Sequence, residues 1–226
     1  MVEESLRQNE FAPDWSALSF TADGQLRFKT EVQAEPWSGG ANSQLLAGNI
    51  FVFSPNAYDL FAVSAVDGKI LWHQSAAQIA GAAEQAASRI QSLAAGSDGS
   101  LWVVMSQAET LQMQSEVPEQ AVLSVLNATD GSRRWSRTEI NRHGLAIVLD
   151  AANRGYLTSG SSGFASSWTR QLDALSSTGQ VRWTRYVDGT ARAVFNGVIE
   201  LSNGATLSTV DGAAKWLPLW ASEPSF

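Results

Sequence analysis

One spacing occurs five times in this chain and limits the folds it can adopt: an aromatic side chain stands four residues after a turn glycine. The glycines are Gly24, Gly68, Gly131, Gly179 and Gly212, and the aromatic residues are Phe28, Trp72, Trp135, Trp183 and Trp216. Asp precedes the glycine in every copy except one, where Thr178 stands before Gly179. Asp-Gly favours a tight hairpin turn because glycine accepts positive φ and the Asp side chain caps the turn. Each copy therefore predicts two strands joined by a turn.

A second hairpin pattern precedes the first in most copies. It occupies residues 45–54, 93–106 and 147–160, with a less regular form at 193–204. A polar turn leads there into an apolar strand, so each unit holds about four short strands. Successive turn glycines are 44, 63, 48 and 33 residues apart, a mean of 47. A four-stranded antiparallel blade of this length is the unit of a β-propeller.

The sequence thus predicts an all-β fold, a β-propeller of four-stranded antiparallel blades with five blades, or a fragment of a longer propeller. The expected organisation is a single propeller domain over residues 1–226, with units at 1–30 (partial), 31–75, 89–140, 141–187 and 188–220. The first unit shows only its outer hairpin. Stacked blades bury a continuous core, so the five repeated aromatic residues are expected to fill the wedges between blades. A ligand-stacking ring is the alternative role for them.

Composition excludes several kinds of protein. Fifteen Lys and Arg against 22 Asp and Glu give a net charge of −7, which argues against a nucleic-acid partner. The absence of cysteine excludes disulfides, thiol nucleophiles and cysteine-ligated metal. No run of eighteen apolar residues predicts a transmembrane segment. The acidic, polar start shows no signal peptide in this chain.

The usual chemical motifs are not found. His73 and His143 are 70 residues apart, without metal-ligand spacing, and no phosphate-binding glycine loop occurs. The segment 150–155 is interpreted as a turn rather than a calcium loop. Four carboxylates outside the Asp-Gly turns are candidates for paired acid–base work: Asp59, Asp150, Asp173 and Glu200. Asp173 is expected to face solvent or to help fix its turn. The sequence therefore predicts no catalytic residue, no cofactor and no metal site.

Three of the turn segments carry a family resemblance. "LDALSSTGQVRW", "AVDGKILW" and "NATDGSRRW" resemble the Ala-x-Asp-x-x-Thr-Gly-x-x-x-Trp repeat of quinoprotein-like (PQQ-like) propellers, and "VLDAANRGYLTSGSS" resembles bacterial SBBP-type repeats. The resemblance implies a propeller of a bacterial secreted or periplasmic protein. Such repeats occur in alcohol and sugar dehydrogenases and in non-enzymatic propellers, such as an outer-membrane assembly lipoprotein. The quinoprotein alcohol dehydrogenases have eight blades and chains more than twice as long, and many carry a vicinal cysteine pair, which this chain lacks.

Loops that interrupt the repeat are the expected place for function. The surplus residues lie at 76–88 or 106–120, and Trp37 and Trp168 stand in loops outside the repeat pattern. Both tryptophans are candidates for stacking on a sugar or peptide, because an exposed flat ring is costly to leave in water. The sequence favours a non-catalytic binding or scaffold domain that holds a protein, peptide or glycan with loops on one face. The alternative is a glycan-active hydrolase or a quinone- or metal-dependent oxidoreductase on the same scaffold.

Overall fold

The computed structural model describes residues 14–33, 44–81, 87–108, 120–140, 142–161 and 170–216. The strands in these ranges are β1 (Asp14–Phe20), β2 (Leu26–Gln33), β3 (Gln44–Ala47), β4 (Ile50–Phe53), β5 (Asp59–Ser64), β6 (Ile70–Ser75), β7 (Ala87–Ala95), β8 (Ser100–Ala108), β9 (Gln120–Asn127), β10 (Arg133–Ile140), β11 (Arg142–Leu149), β12 (Gly155–Ser161), β13 (Arg170–Leu175), β14 (Val181–Val187), β15 (Ala191–Phe195), β16 (Val198–Leu201), β17 (Thr206–Ser208) and β18 (Ala214–Trp216). A single turn of helix, α1 (Ala76–Ala80), follows β6. Among the described residues no helix is long enough to cross a membrane.

The strands form five antiparallel sheets in chain order. The first sheet is β1–β2, and the second to fifth are β3–β6, β7–β10, β11–β14 and β15–β18, each with four strands hydrogen-bonded in sequence order. The prediction of an all-β fold made of four-stranded antiparallel blades is confirmed. The described part of the first sheet consists of the hairpin that the sequence predicts for it.

The sheets stack on one another, and the core lies between them. The opening strands of consecutive four-stranded sheets contact each other, β3 with β7, β7 with β11, and β11 with β15, so these strands are the inner ones. β5 shows how a middle strand is buried on both faces: Leu60 and Ala62 belong to the core shared with the third sheet, whereas Phe61 and Val63 belong to the core shared with the first. This double burial explains the continuous apolar run of β5, because a solvated face would require alternation.

The repeated glycine and the repeated aromatic residue meet between neighbouring sheets. A β-carbon built on Gly131 would lie 3.0 Å from the Trp72 ring of the preceding sheet, and one on Gly179 would lie 2.7 Å from the Trp135 ring. The same relation joins Gly68 to Phe28 of the first sheet, and Gly212 to Trp183 of the fourth. Glycine at these positions therefore supplies a positive φ and also makes room for a ring from the sheet before it.

Hydrogen bonds hold the same contact. The indole N–H of Trp72 donates to the carbonyl of Ala128 at 2.8 Å, and that of Trp183 donates to the carbonyl of Thr209 at 3.3 Å. The residue two positions after the aromatic donates to the carbonyl of the turn glycine in the next sheet. These donors are Thr30 to Gly68 (2.6 Å), Gln74 to Gly131 (3.0 Å) and Arg137 to Gly179 (3.4 Å). Each of these three turns is thus held by two side chains of the preceding sheet.

A β-bulge precedes every repeated aromatic residue. In all five hairpins the register skips the residue just before the aromatic one: Arg27, Leu71, Arg134, Arg182 and Lys215. A bulge bends a strand and increases its local twist, which changes the direction of the following side chain. The bulge is therefore a regular part of the repeat, although the spacing alone does not predict it.

Candidate functional site

The two ends of the stacked sheets are built differently. We call one end the turn face: it holds the five glycine turns together with the short turns β3–β4, β7–β8, β11–β12 and β15–β16. We call the opposite end the loop face. The longest connections between strands, residues 34–43, 76–86, 109–119 and 162–169, all join strand ends at the loop face. The first, third and fourth of these lie outside the described residues, and the candidate ligand residues Trp37 and Trp168 lie in the first and the fourth.

Carboxylates on the turn face cap its turns. Asp130 accepts a hydrogen bond from the backbone N–H of Ser132 at 2.8 Å, and Asp211 accepts one from Ala213 at 3.1 Å. The hydroxyl and N–H of Ser132 hold the pKa of Asp130 below its usual value, and the N–H of Ala213 does the same for the pKa of Asp211.

The Thr178 copy of the turn is capped by another residue. The hydroxyl oxygen of Ser176 accepts from the backbone N–H groups of Thr178 and Gln180 at 3.3 and 3.1 Å. A serine two residues earlier thus replaces the missing Asp, and the turn keeps its cap without the charge.

Asp150 belongs to the turn face. It lies nearly buried in the β11–β12 turn, where its Oδ2 accepts from Arg154 at 2.6 Å and from the Tyr156 hydroxyl at 3.1 Å. Burial raises the pKa of Asp150, but the hydrogen bonds from Arg154 and Tyr156 outweigh burial and lower it overall. Its oxygens are used within its own hairpin.

The loop face carries a histidine–carboxylate pair in the second sheet. His73 Nε2 lies 2.8 Å from Asp59 Oδ1, and Asn56 donates to Asp59 Oδ2 at 2.9 Å. The His73 ring stacks on Phe61, with ring centroids 4.2 Å apart. His73 is half exposed and borders a groove of about 350 Å³ that is also lined by Gln78 and Ile79 of α1 and by the Gly131–Arg133 turn, so the groove reaches the turn face.

Tyr58 and Arg89 form an exposed pair on the loop face between the second and third sheets. The Arg89 guanidinium lies 5.6 Å from the centroid of the Tyr58 ring, and its Nε donates to the Tyr58 hydroxyl at 3.0 Å. A planar cation beside an aromatic ring offers stacking and hydrogen-bond donation to a polar ligand at the same time.

A partly buried polar network lies between the third and fourth sheets. Arg137 donates to Glu139 Oε1 at 3.1 Å, and Glu139 Oε2 lies 3.8 Å from Arg142 Nε without a hydrogen-bond donor in the described part of the chain. Arg142 in turn donates to Ser159 at 3.3 Å and to the side-chain oxygen of Gln171. The network links β10 of one sheet to three strands of the next.

Asp173 ends this network and differs from the expectation for it. Its side chain is 0% exposed rather than facing solvent or capping its turn. Gln171 donates to both carboxylate oxygens at 2.9 Å, and Thr184 donates to Oδ1 at 2.5 Å. The reason is alternation along β13: Asp173 has the same orientation as Leu175, which packs against the third sheet. The alternation of residues within one strand does not predict which positions a neighbouring sheet covers.

The candidate carboxylates are dispersed over three sheets. Asp59 lies in the second sheet, Asp150 lies at the turn-face end of the fourth sheet with Asp173 in the middle of its strand β13, and Glu200 lies in β16 of the fifth. His143 lies on strand β11, and its ring fills the space beside Gly160. Within the described residues no three His, Asp or Glu side chains come together as metal ligands.

The two arginines beside Trp183 serve the contact between sheets. Arg182 is the bulge residue and lies 3.5 Å from the carbonyl of Thr209, and the Arg185 side chain packs against Gly212. Both side chains contact the turn of the fifth sheet. They continue the contacts that the other sheets make.

Comparison with known proteins identifies the fold. No family matches the sequence, and no curated protein does. Among solved structures, BamB from Moraxella catarrhalis is 15% identical, with a TM-score of 0.53, covering 88% of this chain and 53% of BamB. Quinohemoprotein alcohol dehydrogenase from Comamonas testosteroni is 16% identical, with a TM-score of 0.56 and coverage of 87% and 39%. A europium-containing methanol dehydrogenase is 14% identical, with a TM-score of 0.56 and coverage of 88% and 46%.

At this level of identity the similarity shows a PQQ-like β-propeller fold and no activity. The chain spans about half or less of the length of these solved propellers.

Proposed function

We propose that this chain is a non-catalytic β-propeller domain that binds or scaffolds a protein, peptide or glycan on its loop face. The observation that carries the proposal is the asymmetry between the two faces. The turn face is closed by short, capped turns, whereas the four longest connections between strands all start and end on the loop face. Long connections on a rigid repeat scaffold are where binding surfaces are built.

The described part of the loop face contains groups suited to a polar or aromatic partner. Tyr58 and Arg89 present a ring and a guanidinium side by side, and His73 is half exposed on the same face. Trp37 and Trp168, in connections that begin and end on this face, are the candidate stacking residues from the sequence. Together these residues supply the aromatic and cationic chemistry that recognises glycans and peptides.

The alternative, a glycan-active hydrolase or a quinone- or metal-dependent oxidoreductase, has less support. A hydrolase needs two carboxylates about 5–10 Å apart on either side of the scissile bond. Asp150 and Asp173 are each bonded within their own sheet, and Asp59 and Glu200 belong to other sheets. The dehydrogenases among the structural neighbours support the alternative through their fold only.

The place of this domain in the cell is part of the proposal. The PQQ-like and SBBP-type resemblance of the repeats favours a bacterial envelope or secreted protein. The SBBP-type assignment stays a prediction from the sequence.

Binding to glycan and peptide arrays tests this proposal. We expect the wild-type domain to bind a defined set of ligands, and the Arg89→Ala variant and the Trp37→Ala, Trp168→Ala double variant to bind them at least ~10-fold more weakly. Val66→Ala, an exposed change on the turn face, is the matched control and should bind like the wild type. Equal loss in the control would contradict a loop-face site. Cleavage of arrayed glycans that stops in Asp150→Asn and Glu200→Gln would favour the hydrolase instead.

A further inference from the structure

The first sheet carries a glycine turn whose contact with a preceding sheet is not made. A β-carbon built on Gly24 would meet nothing within 4 Å. The turn glycines of the other four sheets each contact the aromatic residue of the sheet before. Gly24 has the same left-handed backbone, with φ of 83°. Its turn therefore has the shape of the other four glycine turns, but no aromatic ring of the described residues packs against it.

The face of the first sheet that bears this turn is apolar and exposed. In each hairpin the repeated aromatic residue pairs with a residue on the neighbouring strand. The residue that follows this partner occupies an equivalent position in all five sheets. In the second to fifth sheets these residues are buried against the preceding sheet, with exposures of 0%, 0%, 0% and 9% for Val63, Leu126, Leu175 and Leu207. In the first sheet the residue is Phe20, and it is 56% exposed, with Leu18 and Leu26 exposed beside it at 51% and 55%.

The fifth sheet provides the complementary half of the contact. Its strand β18 holds Trp216 at the repeated register position, opposite Thr206 and directly after a bulge. Val194 and Ile199 face the fourth sheet, so the neighbouring pair Phe195 and Val198 points to the other side, where Phe195 is 51% exposed. In the first four sheets this side is the one that receives the next sheet.

We propose that two copies of this chain dock end to end, with the fifth sheet of one copy packed on the first sheet of the other and Trp216 placed against Gly24. The contact would continue the series that already joins consecutive sheets, with the same glycine, the same aromatic position and the same buried apolar position. Each copy has both halves of the contact.

A head-to-tail contact either closes into a ring or grows into an open filament. A dimer is the smallest closed assembly, and in it both halves of the contact are used in each copy.

Sedimentation equilibrium tests the docking. We expect the wild-type chain to form a dimer, and Gly24→Asn to raise the dimer dissociation constant at least ~10-fold, because a side chain there blocks the ring and central interface residues carry most of the affinity. Asn tolerates left-handed backbone, so the fold is kept. Gly99→Asn is the matched control: its φ is 74°, its β-carbon position is open and it lies in a β7–β8 turn. It should dimerise like the wild type.

A second pair of variants guards against a folding effect. Phe20→Ser should weaken the dimer, whereas Tyr186→Ser, which changes a residue that is 73% exposed on β14, should not. A monomeric wild-type chain, or equal weakening in test and control variants, would overturn the proposal.

Cross-linking distinguishes head-to-tail docking from other dimers. Because the chain has no cysteine, Phe20→Cys and Phe195→Cys each introduce a single thiol. A short bis-maleimide should cross-link a mixture of the two variants and leave each variant alone largely uncross-linked. Efficient cross-linking within either single variant would show like faces meeting, which contradicts the proposal.

Discussion

The turn face and the loop face use the same strands for different purposes. On the turn face, each of the second to fifth sheets places a glycine against an aromatic side chain of its neighbour, and polar side chains cap the turns. On the loop face, the described polar groups form pairs specific to one place, such as His73 with Asp59 or Tyr58 with Arg89. Contacts that recur in every sheet indicate a role in stability. Residues that occur in one sheet only mark the surface that can differ between propellers with different ligands.

The largest expected effect is the removal of one repeated ring. Trp72→Ala should lower the free energy of unfolding by about 3–5 kcal/mol, because it leaves a cavity between the second and third sheets and removes the bond to the Ala128 carbonyl. Trp72→Phe, which keeps a ring but loses that bond, should cost less. Urea denaturation measures both. A loss under 1 kcal/mol in Trp72→Ala would show that the contact between the aromatic ring and the glycine turn contributes little to the stability of the fold.

The glycine side of the same contact gives the next largest effect. Gly131→Ala combines left-handed strain with displacement of Trp72 and Gln74, so we expect a loss of about 3 kcal/mol. Gly99→Ala has similar strain in open space and should lose only about 1 kcal/mol. Urea denaturation of the two variants isolates the contact from the turn. Equal losses would mean that the ring adds nothing to the requirement for glycine.

Acid should weaken the turn face through its carboxylates. The folded pKa of Asp150 lies below 3.8, so its bonds stabilise the fold above that pH, and the stabilisation disappears as pH falls through the folded pKa. Asp150→Asn should therefore be less stable than the wild type at neutral pH, and the gap should narrow below about pH 4. Unfolding free energies from pH 7 to pH 2.5 measure this difference. A gap that is constant with pH would exclude the charge as its cause.

The smallest expected change lies on the loop face. Arg89→Ala should alter the free energy of unfolding by no more than about 0.5 kcal/mol, because exposed polar pairs contribute little to stability. Thermal and urea unfolding of this variant are the measurements. A loss above 1 kcal/mol would contradict the division of roles between the two faces.

The sequence predicts the repeated part of this structure well because the repeat is a local pattern. Gly131 and Trp135 lie in one hairpin, so a fixed spacing indicates the turn, the strand and the blade length. The contact partner of Trp135 is Gly179, in the next sheet, and only the in-phase recurrence of the pattern makes that pairing predictable.

Other features depend on partners that no spacing reveals. Asp173 occupies a strand position that a local reading assigns to solvent, but the third sheet covers it. Ser176 caps the turn at Thr178 through a hydrogen bond that the Asp-Gly pattern does not include. The bulge at Arg134 comes from the backbone geometry of the hairpin and not from its composition. The proposed ligand residues Trp37 and Trp168 lie in loops outside the repeat, so the repeated spacing gives no information about their partners.

The contact between sheets has one consequence for how such a chain can change in length. Each inner sheet contributes a ring to the sheet after it and accepts a ring from the sheet before it. A duplicated copy of one unit, inserted beside the original, would find a fitting neighbour on both sides without any new interface. Growth or shrinkage of the gene by whole units is therefore tolerated by the architecture, whereas an insertion of half a unit would leave one ring and one glycine unmatched.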